Sequence, residues 1–358
     1  MNIFLTENYE KQTLEIKSIV SRILGEKISD IKNLKGGGNN RVYKVTTDSG
    51  IHYAAKFYFS HDREPRNRLK TEFSTLQFLW ENGIKSIPQP ILCDQTCSCA
   101  VYEYISGNKI PGAAVKEEDI DVLVQFLTQL KELKNREGSQ YLSPASDSRF
   151  SVQDIVSGIE DRLNRLTPLL EQGEQYIVLQ TFLKNEFIPG FIEVTNWCQL
   201  RLNQFQMSFA AEITNGEKTL SPSDFGFHNA LRRQSGEIAF LDFEYFGWDD
   251  AAKMISDCLL HPAWDFPDSL KHRFRDKMLS SFATYANLTK RVEIVYPLCG
   301  LKWCLLLLNE FIPEYLLRRR FAEVGKLDRS KKQTEQLIKA KQTLHKILTE
   351  YDQFSYGS

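Results

Sequence analysis

The chain has 358 residues, 45 Lys and Arg against 46 Asp and Glu for a formal net charge of −1, and a composition of 42% hydrophobic, 12% aromatic and 25% charged residues. This length is a prior for roughly two domains, and the composition is that of a globular protein, which excludes disordered, collagen-like and disulfide-scaffold classes. The missing basic excess speaks against nucleic acid as a partner, because binding by phosphate neutralisation needs one.

The N-terminal stretch carries Glu7 and Glu10 where a secretion signal needs a basic start and an apolar run, so the expectation is a cytoplasmic protein. The longest purely apolar run, Trp303 to Leu308, is too short to span a bilayer, and no membrane partner is expected. Seven cysteines in such a chain read as reduced thiols. Cys93, Cys97 and Cys99 lack partners at zinc-finger spacing, and Cys198, Cys258, Cys299 and Cys304 sit in apolar stretches that read as core.

Alternating and β-branched runs at Arg41–Thr46, Ile51–Tyr58 and Cys99–Ile105 predict strands, with Asp48-Ser49-Gly50 turning the first pair. Between them Leu69, Phe73, Leu76, Phe78 and Leu79 share a helical face, which Gly83 terminates. After residue 105 helices dominate. Leu123, Phe126, Leu127, Leu130 and Leu133 recur at helical spacing, and similar periodicity marks about 151–172, 197–213, 268–287 and 295–310. The exception is a hairpin from Asn229 to Phe243 around Gln234-Ser235-Gly236; a surface helix over about 328–351 closes the chain. The organisation expected is a strand-rich lobe at 1–105 and a helical lobe at 106–358.

Four features in one order carry chemistry. Gly36-Gly37-Gly38-Asn39-Asn40-Arg41 leads into a strand, where glycines let backbone N–H groups approach phosphate oxygens, or where a plain loop stands. Lys56 precedes Glu72 by sixteen positions, spaced to pair and hold a phosphate, or to be an ordinary strand Lys. Asp224 and Asn229 are five apart, and Asp242 follows thirteen further on at the end of an apolar strand. Carboxylate and amide oxygens suit Mg²⁺, and a carboxylate not used as a ligand can take a proton from an attacking hydroxyl.

From about Ile31 to Glu310 these motifs resemble the aminoglycoside phosphotransferase and choline kinase-like phosphotransferases, relatives of protein kinases. The resemblance implies an α+β, two-lobed protein kinase-like fold, with a small antiparallel-sheet N-lobe, a larger helical C-lobe and an ATP site between them. It assigns Gly37, Gly38, Asn39 and Asn40 to the nucleotide, Lys56 to its phosphates with Glu72 as partner, and the Tyr102-Glu103-Tyr104-Ile105 segment to adenine. It further assigns Asp224 as base toward a substrate hydroxyl, with Asn229 and Asp242 holding Mg²⁺. The chain departs from the pattern at Pro222, where the family has His, at Phe225-Gly226-Phe227-His228, and in reading Asp-Phe-Glu at 242–244. His228 is expected to bond the backbone rather than touch phosphate, and Asp257 to support the loop or face solvent.

Only seven residues separate Asp242 from Asp250, too few for a peptide-docking segment, so a small-molecule hydroxyl acceptor is expected. Asp250 should cap the helix Ala251 to Leu260. Asp265, Asp268, Glu310 and Glu314 with Trp264 and Trp303 suit a cationic alcohol. The reading is an ATP- and Mg²⁺-dependent phosphotransferase, such as an amino alcohol, aminoglycoside or sugar kinase; the alternative is a kinase-like module that binds nucleotide without transfer.

Overall fold

The computed structural model describes residues 3–34, 40–59, 66–167, 173–264, 266–322 and 328–353. In chain order the elements begin with α1 (Ile3–Leu24), β1 (Ile28–Asn33), β2 (Arg41–Thr47), β3 (His52–Phe57), α2 (Arg68–Glu81), β4 (Pro90–Asp94), β5 (Cys99–Glu103) and β6 (Asn108–Lys109). Then come α3 (Glu117–Leu133), α4 (Val152–Leu166), α5 (Glu174–Phe182), α6 (Ile188–Gln204), β7 (Lys218–Ser221), β8 (Ala230–Arg232), β9 (Ile238–Phe240) and β10 (Gly247–Asp250). The chain closes with α7 (Ala251–Leu260), α8 (Asp268–Ser281), α9 (Leu288–Leu307), α10 (Pro313–Ala322) and α11 (Arg329–Glu350). Contacts divide it into two compact units, Met1–Lys109 with Asn229–Tyr245 and Leu317–Val324, and Ile110–His228 with Phe246–Leu316 and Gly325–Ser358.

The first unit is built on a five-stranded antiparallel sheet in the order β1-β2-β3-β5-β4. Its alternation buries Tyr43, Val45, Ala55 and Val101 against Ile16 and Val20 of α1, forming one apolar cluster. Gly50 closes the β2–β3 turn at φ 83°, and Gly83 ends the chain's exit from α2 at φ 91°, both conformations that a Cβ resists. The β8–β9 hairpin pairs Ala230 with Phe240 and turns through Gly236 at φ 92°. Leu241 N–H donates to Asn229 O at 2.8 Å, which extends the pairing to the end where Asp242 begins.

In the second unit α9 is the central helix, packed by α4, α6, α7 and α11. The segment Leu288–Phe311 is long and apolar enough to cross a bilayer by length and composition, yet 72% of its 18-residue apolar window is buried inside the protein, as in a core helix. The run-length reading overlooked it because Arg291 and Lys302 interrupt the sequence; both are buried and ion-paired. Its first turns carry Thr289, Lys290, Arg291 and Glu293, with Thr289 and Lys290 exposed, so no apolar periodicity marks the start. The expected start near 295 therefore moves back to Leu288, where Asn287 at φ 55° separates α9 from α8, which ends at Ser281 rather than 287.

The helix expected at 197–213 instead runs Ile188–Gln204, after a π-turn at Leu183–Phe187. Gln206 stops it in the left-handed region at φ 56°, with Met207 N–H bonded to Leu202 O at 2.9 Å, a closure usually signalled by glycine and absent here from the sequence signal. The helix expected at 151–172 ends at Leu166; residues 168–172 lie outside the described residues. All seven cysteines are free thiols, and Cys198, Cys258, Cys299 and Cys304 are buried.

Candidate active site

Lys56 projects from β3, a strand held on both sides by β2 and β5. Its Nζ donates to Glu72 Oε2 at 2.6 Å and to Asp242 Oδ1 at 2.7 Å. Glu72, buried on α2, also accepts from the Tyr58 hydroxyl at 2.7 Å and from Phe243 N–H at 3.2 Å. Burial acts against the Lys56 charge, but the carboxylates of Asp242, Glu72 and Glu244 outweigh it and hold its pKa well above the ordinary value. Burial, followed by the charge of Glu72, raises the Tyr58 phenol, so it stays a donor.

Glu244 is buried and uses both oxygens: Arg68 Nη1 donates to Oε1 at 2.7 Å and Asn40 Nδ2 to Oε2 at 2.6 Å. Asp242, Glu72 and Glu244 bring carboxylate oxygens within 4.8 Å of one another. Burial pushes Asp242 up to about 7, against the pull of Lys56 and with a further push from Glu244 and Glu72. Asp242 also takes φ 67°, a left-handed backbone unusual for a non-glycine residue and a form of strain that collects at functional sites. Three carboxylates face two cationic side chains here, and the hairpin places Asn229 beside the residue preceding Asp242. Hard oxygen donors with acid in excess are a set that Mg²⁺ fits.

In the second unit, β7 and β10 pair with Ser221 opposite Gly247, fixing where the 222–228 segment starts. Asp224 N–H donates to Pro222 O at 2.9 Å around Ser223 at φ 69°, a tight three-residue turn. Phe225 and Phe227 are buried on either side of Gly226; Phe225 stacks on Phe126 at 5.3 Å, and Phe227 meets Phe266 edge-on at 6.1 Å. The indole N–H of Trp264 donates to Phe225 O at 3.2 Å. Gly226 stands at φ 154°, and a Cβ there would lie 2.2 Å from that indole nitrogen. The unusual Phe-Gly-Phe sequence is therefore a packing solution for the loop.

His228 Nε2 lies 2.9 Å and His261 Nε2 3.0 Å from the same atom, Asp224 Oδ1. The bond of His228 is thus to the Asp224 side chain, correcting the expectation of a backbone partner. Burial works to raise the Asp224 carboxyl, but the hydrogen bonds from His228 and His261 prevail and hold it well below the usual range. Burial lowers His261, despite its bond to Asp224.

Asp250 caps α7 by accepting from Ala252 N–H at 2.9 Å. Asp257 is buried on α7, where Lys253, Lys302 and the Trp303 indole N–H all donate to it, so it does not face solvent. Glu103 pairs with Arg233 at 3.0 Å and its backbone N–H donates to Gln89 O at 2.9 Å. Tyr104 follows the end of β5 with Lys44 over its ring, and Ile105 is buried. Gly36, Gly37, Gly38, Asn39 and Asp265 lie outside the described residues. Among residues expected to receive a cation, Trp264 is 3% and Glu310 8% exposed, both built into the core. Asp268 stays exposed beside Lys271, and Glu314 is exposed. Sequence reading missed His261, Arg68 and Tyr58, whose partners lie 37, 176 and 14 positions away.

The sequence profile described as "Phosphotransferase enzyme family" matches residues 30–290. No curated protein sequence matches the chain. Solved structures similar in fold include spectinomycin phosphotransferase in complex with ADP and spectinomycin, 12% identical, with TM-score 0.63 and 95% of this chain and 98% of that one covered. The ethanolamine kinase of Plasmodium vivax is 15% identical with TM-score 0.59, covering 89% and 83%. The choline kinase of Streptococcus pneumoniae is 16% identical with TM-score 0.56, covering 95% and 99%.

Proposed function

The chain belongs to the phosphotransferase enzyme family and has the kinase-like fold, and on that premise we propose that it transfers the γ-phosphoryl group of ATP to a hydroxyl of a small molecule. The observation that carries this reading is Lys56 held between Glu72 and Asp242, a cation fixed by two carboxylates at 2.6 and 2.7 Å. A lysine so placed is oriented and permanently charged, as a group that binds nucleotide phosphates must be.

Asn229 and Asp242 would hold Mg²⁺, which when bound neutralises phosphate charge. Asn40 with Gly37, Gly38 and Asn39 would approach the phosphates, and Glu103, Tyr104 and Ile105 would meet the adenine. Asp224 accepts the proton of the acceptor hydroxyl as its oxygen bonds the γ-phosphorus and the bond to the β-phosphate oxygen breaks, releasing ADP. Such a site works by positioning and by charge compensation.

The acceptor is a small alcohol. With Trp264 and Glu310 in the core, a cationic group on it would be met by Asp268, Glu314 or Asp257's neighbour Trp303. A nucleotide-binding module without transfer is the rival reading, favoured by Pro222 in the base loop. Two imidazoles on Asp224 weigh against it, since a carboxylate so held is prepared for use. The test is a mass-spectrometric screen of hydroxyl metabolites for gain of one phosphate from Mg-ATP, with Asp224→Asn as control. Nucleotide-dependent thermal stabilisation with no phosphorylated product from any acceptor would favour the module.

A further inference from the structure

His261 follows α7 directly, and its ring is held from every side. Its Nδ1 accepts from Ala263 N–H at 3.1 Å. A neutral imidazole has one donor and one acceptor nitrogen, so this bond places the proton on Nε2, which is 3.0 Å from Asp224 Oδ1. His228 stacks on the ring at 4.1 Å and 10° from parallel, and Trp303 meets it edge-on at 4.6 Å. Trp303 is fixed in turn by its N–H to Asp257 Oδ1 at 3.0 Å, and Asp257 by Lys253 and Lys302.

We propose that His261 is a positioning residue for Asp224, a neutral N–H donor that sets the rotation of its carboxylate. This rests on the reading of Asp224 as base. Pro222 has no side-chain donor to offer the loop, and His228 at its other end and His261 after α7 supply two. Burial keeps His261 below its ordinary pKa, consistent with a neutral donor near pH 7.

Asp224, His228 and His261 also lie close enough to suggest a metal site, their nearest atoms within 4.8 Å. A metal on His261 Nε2 would require its proton to move to Nδ1, where it would face the N–H of Ala263. The backbone therefore selects the donor role. Among the described residues His228 Nδ1 is buried without a hydrogen-bond partner, so His228 holds Asp224 through Nε2 alone.

The test uses the full chain with Mg-ATP and water as acceptor, following ADP release. His261→Ala should lower kcat by about 10²-fold, the scale of a misplaced reacting group, with KM for Mg-ATP unchanged. His261→Gln, whose amide N–H reaches the same region, should recover most of that rate. Wild-type kcat in His261→Ala, or a folded His261→Gln as slow as His261→Ala, overturns the proposal. Asp224→Asn is run beside them. Full turnover there would defeat the base assignment itself, whereas an inactive Asp224→Asn with an unaffected His261→Ala defeats only the positioning role. The ¹⁵N imidazole spectrum of the wild-type protein provides a readout independent of the variants. A proton on His261 Nε2 is expected; a proton on Nδ1 would overturn the proposal.

Discussion

Lys56 Nζ and Asp242 Oδ1 stand 2.7 Å apart, joining the centre of the five-stranded sheet to the end of a hairpin 186 positions away. Replacing Lys56 by Met would leave Glu72, Asp242 and Glu244 without their shared cation. Loss of one partner of a buried ion pair costs about 3–5 kcal/mol, and loss of a preorganised charge at the phosphates about 10²–10³ in kcat. Urea unfolding and ADP release should both fall accordingly; an unchanged urea midpoint would show that the pair carries no stability.

Glu244 ties Arg68 of α2 to Asn40 at the start of β2. Glu244→Ala removes the carboxylate paired with the buried Arg68 guanidinium and should destabilise by about 3–5 kcal/mol. The double variant with Arg68→Met should lose less than the sum of the single losses, a coupling read by a double-mutant cycle in urea. Strict additivity would mean that the two side chains do not act as a pair.

Gly226→Ala tests the loop through its backbone. A Cβ at φ 154° and 2.2 Å from Trp264 Nε1 forces the indole or the loop to move. Overpacking of this kind costs about 1–3 kcal/mol, and kcat should fall while KM for Mg-ATP holds, because the displaced group is Asp224 and not Lys56. Wild-type stability and turnover together would refute the packing account of the Phe-Gly-Phe sequence.

His261 gives a pH signature. Its folded pKa lies below 6.5 through burial, so the unfolded chain binds more protons than the folded one as pH falls through that value. Its contribution to stability is present above about 6.5 and declines below it. The groups facing it are Asp224, His228 and Asp257. Between pH 7.5 and 5 the melting temperature should drop less in His261→Gln than in the wild-type protein. An equal or larger drop would place the pH dependence elsewhere.

The sheet strands and the β8–β9 hairpin were legible because alternation and turn glycines are local signals: Val45 and Ala55 alternate inward, and Gly50 and Gly236 mark turns. Helix α6 was misplaced because Gln206 ends it without a glycine, and the start of α9 was missed because Thr289, Lys290, Arg291 and Glu293 fill its first turns and leave no apolar stripe. In the candidate site, Lys56, Glu72, Asp242 and Asp224 stand in motifs with readable spacing. His261 and Arg68 stand in none, since their partners Asp224 and Glu244 are reached only through the fold.

The central claim is transfer of phosphate with Asp224 as base, and the most direct measurement is turnover of Asp224→Asn against wild type, with Mg-ATP and an acceptor that gains phosphate in the metabolite screen. The account predicts kcat lower by about 10²–10⁴-fold with the affinity for Mg-ATP retained. Wild-type kcat in Asp224→Asn would contradict it.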